Sequence, residues 1–172
     1  ACSTTSKKRK IDWKEREKML VEICNKYRRS DGMYDCIIPG SGGKDSFYAS
    51  YMLKYKYKMN PLTVTWSPLI YTDWGLKNFH AWLNSGFSNY LFTADKLVQR
   101  YLTRLSIEKL YHPFQPFMMG QMYFPPKLAY MMNIPLVFYG ENPSEYGNDI
   151  KENKTAQKNK SYFSSNTIDD LF

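Results

Sequence analysis

Tyr34-Asp35-Cys36-Ile37-Ile38-Pro39-Gly40-Ser41-Gly42-Gly43-Lys44-Asp45-Ser46 is the stretch on which the fold turns. Its first half, Tyr34 to Pro39, is a short apolar run of the kind that forms a buried strand. Its second half is a glycine-rich turn leading into a segment from about Asp45 to Tyr57, where Phe47, Ala49, Tyr51, Met52 and Leu53 sustain the apolar side of a helix. Strand, glycine turn and helix in that order bring several main-chain N–H groups and the positive end of a helix to one point. Adjacent glycines let those groups turn toward a single anion, and Ser41, Lys44 and Ser46 can add donors. The arrangement suits phosphate or pyrophosphate. Asp45 and Ser46 are also good capping residues, so an ordinary capped turn is the competing reading.

The flanking sequence repeats the alternation. Asp12 with Glu15 three residues on resembles a capping box, and Trp13, Leu20, Cys24 and Tyr27 follow at helical spacing, which predicts a helix over about 12 to 28. Leu62 to Trp66 reads as a second strand after the Asn60-Pro61 turn. Thr72-Asp73 can cap a helix carrying Trp74, Leu76, Phe79, Trp82 and Leu83, and a short third strand is expected around Tyr90 to Thr93. Asp95 opens a helix through Leu97, Val98, Tyr101, Leu102 and Leu105. A Met-rich, proline-interrupted segment from His112 to Asn133 is expected to be helical in its later part, and Pro135 to Tyr139 to form a fourth strand. Strands alternating with helices predict an α/β fold with a mainly parallel sheet and ligands at the carboxyl ends of the strands.

Composition narrows the function classes. The 172 residues include 24 Lys plus Arg and 16 Asp plus Glu, a net of +8. Six of those charges belong to residues 1 to 30, whereas residues 31 to 150 carry ten basic and nine acidic side chains. The near-neutral centre disfavours nucleic acid, and the N-terminal arm reads as a solvated face. The expected organisation is a basic arm and helix over 1–30, a nucleotide domain over 31–150 and a polar tail over 151–172. No apolar stretch approaches the about 18 residues of a membrane span, and the start shows no secretory signal, so no membrane partner and a cytoplasmic location are expected. Cys2, Cys24 and Cys36 lie far apart in an odd number, which speaks against a disulfide framework. With His80 and His112 the only histidines, no familiar zinc spacing can be assembled, and any metal should be held by oxygen.

Two better-known nucleotide loops do not fit the glycine turn. A Walker A loop needs Ser or Thr after its lysine, where Asp45 stands, and a Rossmann fingerprint needs a third glycine at that same position. At every fixed position Ser41-Gly42-Gly43-Lys44-Asp45-Ser46 resembles the S-G-G-x-D-S signature of the PP-loop ATP pyrophosphatases. That resemblance implies ATP cleaved between its α and β phosphates, a loop that holds the departing pyrophosphate, and a substrate activated as an adenylate. It implies a three-layer HUP-like (adenine nucleotide alpha hydrolase-like) fold with strand order 3-2-1-4. Adenosine would sit where the second strand ends at Trp66 and Ser67.

A second constellation, Gly140-Glu141-Asn142-Pro143-Ser144-Glu145-Tyr146-Gly147, follows the fourth strand. In a parallel sheet it shares an edge with the phosphate loop, so Gly140 joins the candidate ATP-binding residues. Asp45 and Glu145 are candidates to hold Mg²⁺ on the phosphates, and Glu141 is a candidate base for incoming ammonia. Lys44 and Asp45 complete the candidate catalytic set with Glu141. A capped turn of exposed carboxylates is the plain alternative.

Ile11 to Lys18 (IDWKEREK), Tyr34 to Ser46, and Ile134 to Gly147 (IPLVFYGENPSEYG) together resemble the N-acetyl sugar amidotransferases of bacterial surface-glycan biosynthesis. That narrower resemblance implies conversion of a sugar acetamido group to acetamidino, in pathways to O-antigen sugars of lipopolysaccharide or to nonulosonic acids. The implied partners are an N-acetylated sugar, free or nucleotide-linked, and ammonia, delivered in some members by a separate glutaminase with a cyclase-like protein. Family members carry a cysteine-rich N-terminal segment and a longer C-terminal part. Here Cys2 alone corresponds to the former, and the ending at Asp170-Leu171-Phe172 reads as a piece of something longer.

The rival enzyme is a PP-loop tRNA-modifying thiolase or lysidine-type ligase, which Cys36, placed inside the first strand, disfavours. The other rival is a nucleotide-binding module without catalysis. Met118, Met119, Met122, Met131 and Met132 read as core of a buried helix, and Trp74 and Trp82 as structural rather than sugar-stacking.

Overall fold

The computed structural model describes residues 11–140. Helix α1 (Trp13–Tyr27) begins at Asp12, whose carboxylate accepts from the N–H groups of Lys14 and Glu15 at 3.0 and 3.1 Å. Only half of the expected capping box forms, since Glu15 pairs with Lys18 at 3.4 Å. Strand β1 (Cys36–Pro39) follows, then helix α2 (Lys44–Tyr51), which widens into a π-helical segment over Met52–Lys56. Arg28, just past α1, donates to the carbonyls of Tyr57 and Lys58 and ties the two helical pieces together.

Strands β2 (Pro61–Trp66) and β3 (Ser88–Phe92) complete a parallel sheet in the order β1-β2-β3, with Ile37 opposite Leu62 and Val64 opposite Tyr90. Helix α3 (Asp73–Leu83) crosses from β2 to β3, and helices α4 (Lys96–Leu110) and α5 (Gln115–Met131) come after the sheet. The expected fourth strand is reduced to one parallel bridge, Val137 to Ile37. Ile37 donates to Leu136 O and accepts from Phe138 N, both at 2.8 Å. Pro135 has no N–H to extend the ladder. Because this bridge lies on the side of β1 away from β2, the sequence 3-2-1-4 expected for the sheet is kept, with the fourth member shortened.

Strands β1 and β2 are buried on both faces, as inner parallel strands are, whereas β3 at the edge exposes Ser88, Tyr90 and Leu91. Ile37, Leu62 and Val64 point to one face and pack with Leu128, Ala129 and Ile134. Cys36 and Ile38 point to the other and pack with Cys24, Leu53 and Met59, so α1 and the π-helical segment form the opposite layer. Thr63 and Thr65, also buried, are satisfied by the Asn89 amide at 3.0 and 3.1 Å. Asp35 opens β1: its buried carboxylate accepts from Arg29 N at 2.6 Å and Asn60 N at 2.7 Å, fixing where the strand starts.

Three expectations fail in the helices. The α5 segment, expected to be helical only in its later part, is helical from Gln115 onward, running through Pro125 and Pro126 and burying Pro125, Leu128 and Ala129. None of its methionines is buried; Met118, Met131 and Met132 are exposed, because the narrow face toward the sheet is already filled by those three residues. Helix α4 is turned the other way from its apolar pattern, burying Gln99 and Ser106 while Leu97, Val98, Tyr101 and Leu102 face outward. Ser106 is held inward by donating to His112 O at 2.6 Å. Among the described residues no helix is long and apolar enough to cross a membrane.

Candidate active site

The glycine turn leaves β1 at the carboxyl edge of the sheet, and each of its glycines does a different job. Gly40 donates to Val64 O at 2.9 Å, extending the β1–β2 ladder by one residue, and a Cβ there would lie 2.2 Å from Ser46 Cβ. Gly42 has φ +83°, and a Cβ there would lie 2.7 Å from the Asn78 carbonyl oxygen and 2.8 Å from Phe79 Cα. Conformation and space both require glycine at 42. Gly43 is the opposite case, since nothing lies within 4 Å of where its Cβ would stand. The front of the turn is open.

Gly43 is also the N-cap of α2 and supplies no side chain to cap it. The first bond of the helix is Phe47 N to Gly43 O at 3.0 Å. The N–H groups of Lys44, Asp45 and Ser46 precede that bond and sit at the positive end of the helix. Ser41, Lys44 and Asp45 are exposed, with Lys44 and Asp45 in the first turn. Ser46 is buried and its hydroxyl donates to Gly43 O at 3.1 Å, so its hydrogen closes the turn from inside.

Gly140, at the end of the bridging segment, meets this first turn from the side. A Cβ on it would lie 2.9 Å from Asp45 O and 3.1 Å from Ser46 N. Residues almost a hundred positions apart are thus in main-chain contact, which joins Gly140 to the loop. Glu141 and Glu145 lie outside the described residues. Among the described residues no group of three or more His, Cys, Asp or Glu could hold a metal ion. Asp45 is the one expected magnesium ligand within them, which fits an ion held by one or two carboxylates and phosphate oxygens.

Trp66 ends β2 as expected, but its indole is packed rather than open. It stacks on Phe92 at 4.8 Å, meets Phe124 at 5.6 Å, and rests on Gly120, where a Cβ would lie 2.1 Å from the ring. What this strand end offers a ligand is main chain. Trp82 is fully buried, donates to Ser50 Oγ at 2.8 Å and stands beneath Gly40, so it braces the loop. Trp74 is 73% exposed, with Lys77 Nζ 4.8 Å from its ring. Cys36 is inaccessible inside β1, and burial pushes its thiol far up, which suits core packing and no nucleophile. The back wall of the loop, Asn78 and Phe79, carries no signature in the sequence. Its one trace is Phe79 three residues before Trp82, a pair that faces the same way on a helix.

Among solved structures the chain resembles NH3-dependent NAD synthetase from Campylobacter jejuni, solved in complex with nitrate, at a TM-score of 0.54 and 17% identity. The superposition covers 79% of this chain and 59% of the synthetase chain. The chain has that enzyme's HUP-like α/β fold. Over 53 residues, 31% of its length, it is 42% identical to the uncharacterized protein MJ1599 of Methanocaldococcus jannaschii, a stretch that makes up 19% of the archaeal protein. No family model matches the chain.

Proposed function

We propose that the chain is the ATP-binding part of an enzyme that activates an amide oxygen with ATP and replaces it with ammonia, acting on the acetamido group of an N-acetylated sugar. The observation that carries this reading is the start of α2: three N–H groups in front of an open Gly43, backed by Gly42 pressed against Asn78 and flanked by Gly140. The Campylobacter jejuni synthetase is ammonia-dependent by name, and Ser41 to Ser46 resembles the PP-loop signature. The sugar follows from the narrower resemblance of Ile11 to Lys18 and Ile134 to Gly147.

ATP with Mg²⁺ would supply an electrophilic α-phosphate and pyrophosphate as leaving group. The N–H groups of Gly43, Lys44, Asp45 and Ser46, with the Lys44 ammonium, would hold the charge that develops on the departing phosphates. Such fixed donors act without reorganisation, because Gly40, Gly42 and Ser46 already lock the turn. Asp45 would ligate the magnesium and the β2 end would seat adenosine through main chain. Glu141 is the candidate base toward ammonia and Glu145 the candidate second magnesium ligand.

Incubation with ATP, Mg²⁺, ammonium and a panel of acetamido sugars tests this. AMP and pyrophosphate formed only when a sugar is present support it. Stimulation by tRNA would favour the thiolase or lysidine-type reading, and nucleotide binding without turnover a non-catalytic module.

A further inference from the structure

Helix α5 contains Pro125 and Pro126. In an α-helix the N–H of residue 126 bonds to the carbonyl of residue 122, and proline has no N–H to give. The Met122 carbonyl is therefore left open by covalent structure alone, and the Tyr139 hydroxyl donates to it at 3.2 Å. Tyr139 also stands between two fixed points of main chain. On one side Phe138 N donates to Ile37 O at 2.8 Å. On the other, Gly140 abuts Asp45 and Ser46 with no space for a methyl group. A continuous mechanical link thus runs from the proline gap of α5, through one phenol, to the residues whose N–H groups open α2.

We propose that Tyr139 is a positioning residue for the phosphate loop: its bond to the Met122 carbonyl sets the height at which Gly140 meets the first turn of α2, and so the aim of the Lys44, Asp45 and Ser46 N–H groups. The inference rests on the phosphate reading above for the nature of the anion. The link itself does not depend on it.

The test uses Tyr139→Phe, Pro126→Ala and the double variant, each in the full chain. Tyr139→Phe should lower the thermal midpoint and weaken pyrophosphate binding, read by titration calorimetry with Mg²⁺, about fivefold, the effect of one hydrogen bond. Pro126→Ala supplies the missing N–H to Met122, so the double variant should regain the thermal midpoint. Its pyrophosphate binding should stay weak, because the phenol no longer fixes the position of Gly140 from the Met122 carbonyl. Binding that recovers together with stability in the double variant shows that the phenol merely satisfies a carbonyl, and overturns the proposal. So does undiminished binding in Tyr139→Phe. If the unaltered chain binds neither pyrophosphate nor ATP, the phosphate reading fails separately, and amide exchange at Phe47, which bonds to Gly43 O, decides the link. Faster exchange in both Tyr139→Phe and the double variant supports it; unchanged exchange overturns it.

Discussion

Helices α1, α3 and α4 begin in one way and α2 in another. Asp12, Thr72 and Asp95 each turn a side-chain oxygen back onto the N–H groups of their own helix, at distances of 2.8 to 3.1 Å. Gly43 has nothing to turn back. Helix α5 also lacks a side-chain cap, but a proline in its first turn removes one of the donors that would need it. With glycine at the N-cap, forgoing a side-chain cap costs roughly a few tenths of a kcal/mol. Among the described residues, the chain accepts that cost at the one helix start that follows a glycine turn, where an anion could supply the missing acceptor.

The largest effect is expected at Gly42. Gly42→Ala puts an L side chain at φ +83° against the Asn78 and Phe79 main chain. Pyrophosphate binding should fall about a hundredfold or more, with a stability loss on the order of 1–3 kcal/mol from the strained backbone. Calorimetric titration and thermal unfolding read both, and retained affinity would contradict the role of the turn.

Gly43→Asp should separate stability from anion binding. The site is open and the backbone there, φ −66° and ψ 163°, is already that of an N-cap, so the new carboxylate should cap α2 as Asp12 caps α1. Stability should rise by up to about 1 kcal/mol while pyrophosphate affinity falls about tenfold or more, the two moving in opposite directions. If both rise, the open helix start is not where the anion goes. The converse change, Asp95→Ala, removes the cap of α4. It should cost about 1 kcal/mol in denaturant unfolding and leave pyrophosphate binding unaltered.

How much of this is legible in the sequence depends on how local the cause is. The start of α2 is readable from Pro39 to Ser46 because the turn requires glycine at Gly42, and Asp12, Thr72 and Asp95 announce their helices through caps that are equally local. The wall formed by Asn78 and Phe79, the seat of Trp66 on Gly120, and the contact of Gly140 with Asp45 depend on residues 35 or more positions apart meeting in space. No spacing rule encodes them. The course of α5 through two prolines is of this kind as well, since a phenol from outside the helix satisfies one of the freed carbonyls. The outward apolar face of α4 shows periodicity reporting that a helix forms without reporting which side packs. Glu141 and Glu145 fall outside the described residues.

The smallest effect concerns a carboxylate committed to its own surroundings. The Arg29 guanidinium, with help from Met33 N–H, holds the Asp31 carboxyl down to about 2. A depressed carboxyl contributes stability above its unfolded value of about 4, and that contribution is lost as pH falls from there toward 2. Asp31→Asn should therefore flatten the acid limb of the thermal midpoint between those values. The change is slight because the pair is exposed, and an unchanged slope would remove Asp31 from the account.

The most direct measurement is a two-dimensional amide NMR titration of the full chain with pyrophosphate and Mg²⁺. The expected result is saturable movement of the Gly43, Lys44, Asp45 and Ser46 N–H signals, with Lys14, Glu15, Gly75, Leu97 and Val98 at the capped helix starts left in place. Signals at α2 that stay still, or movement spread evenly over the lysine-rich surface, would contradict an anion seated at the uncapped start of that helix.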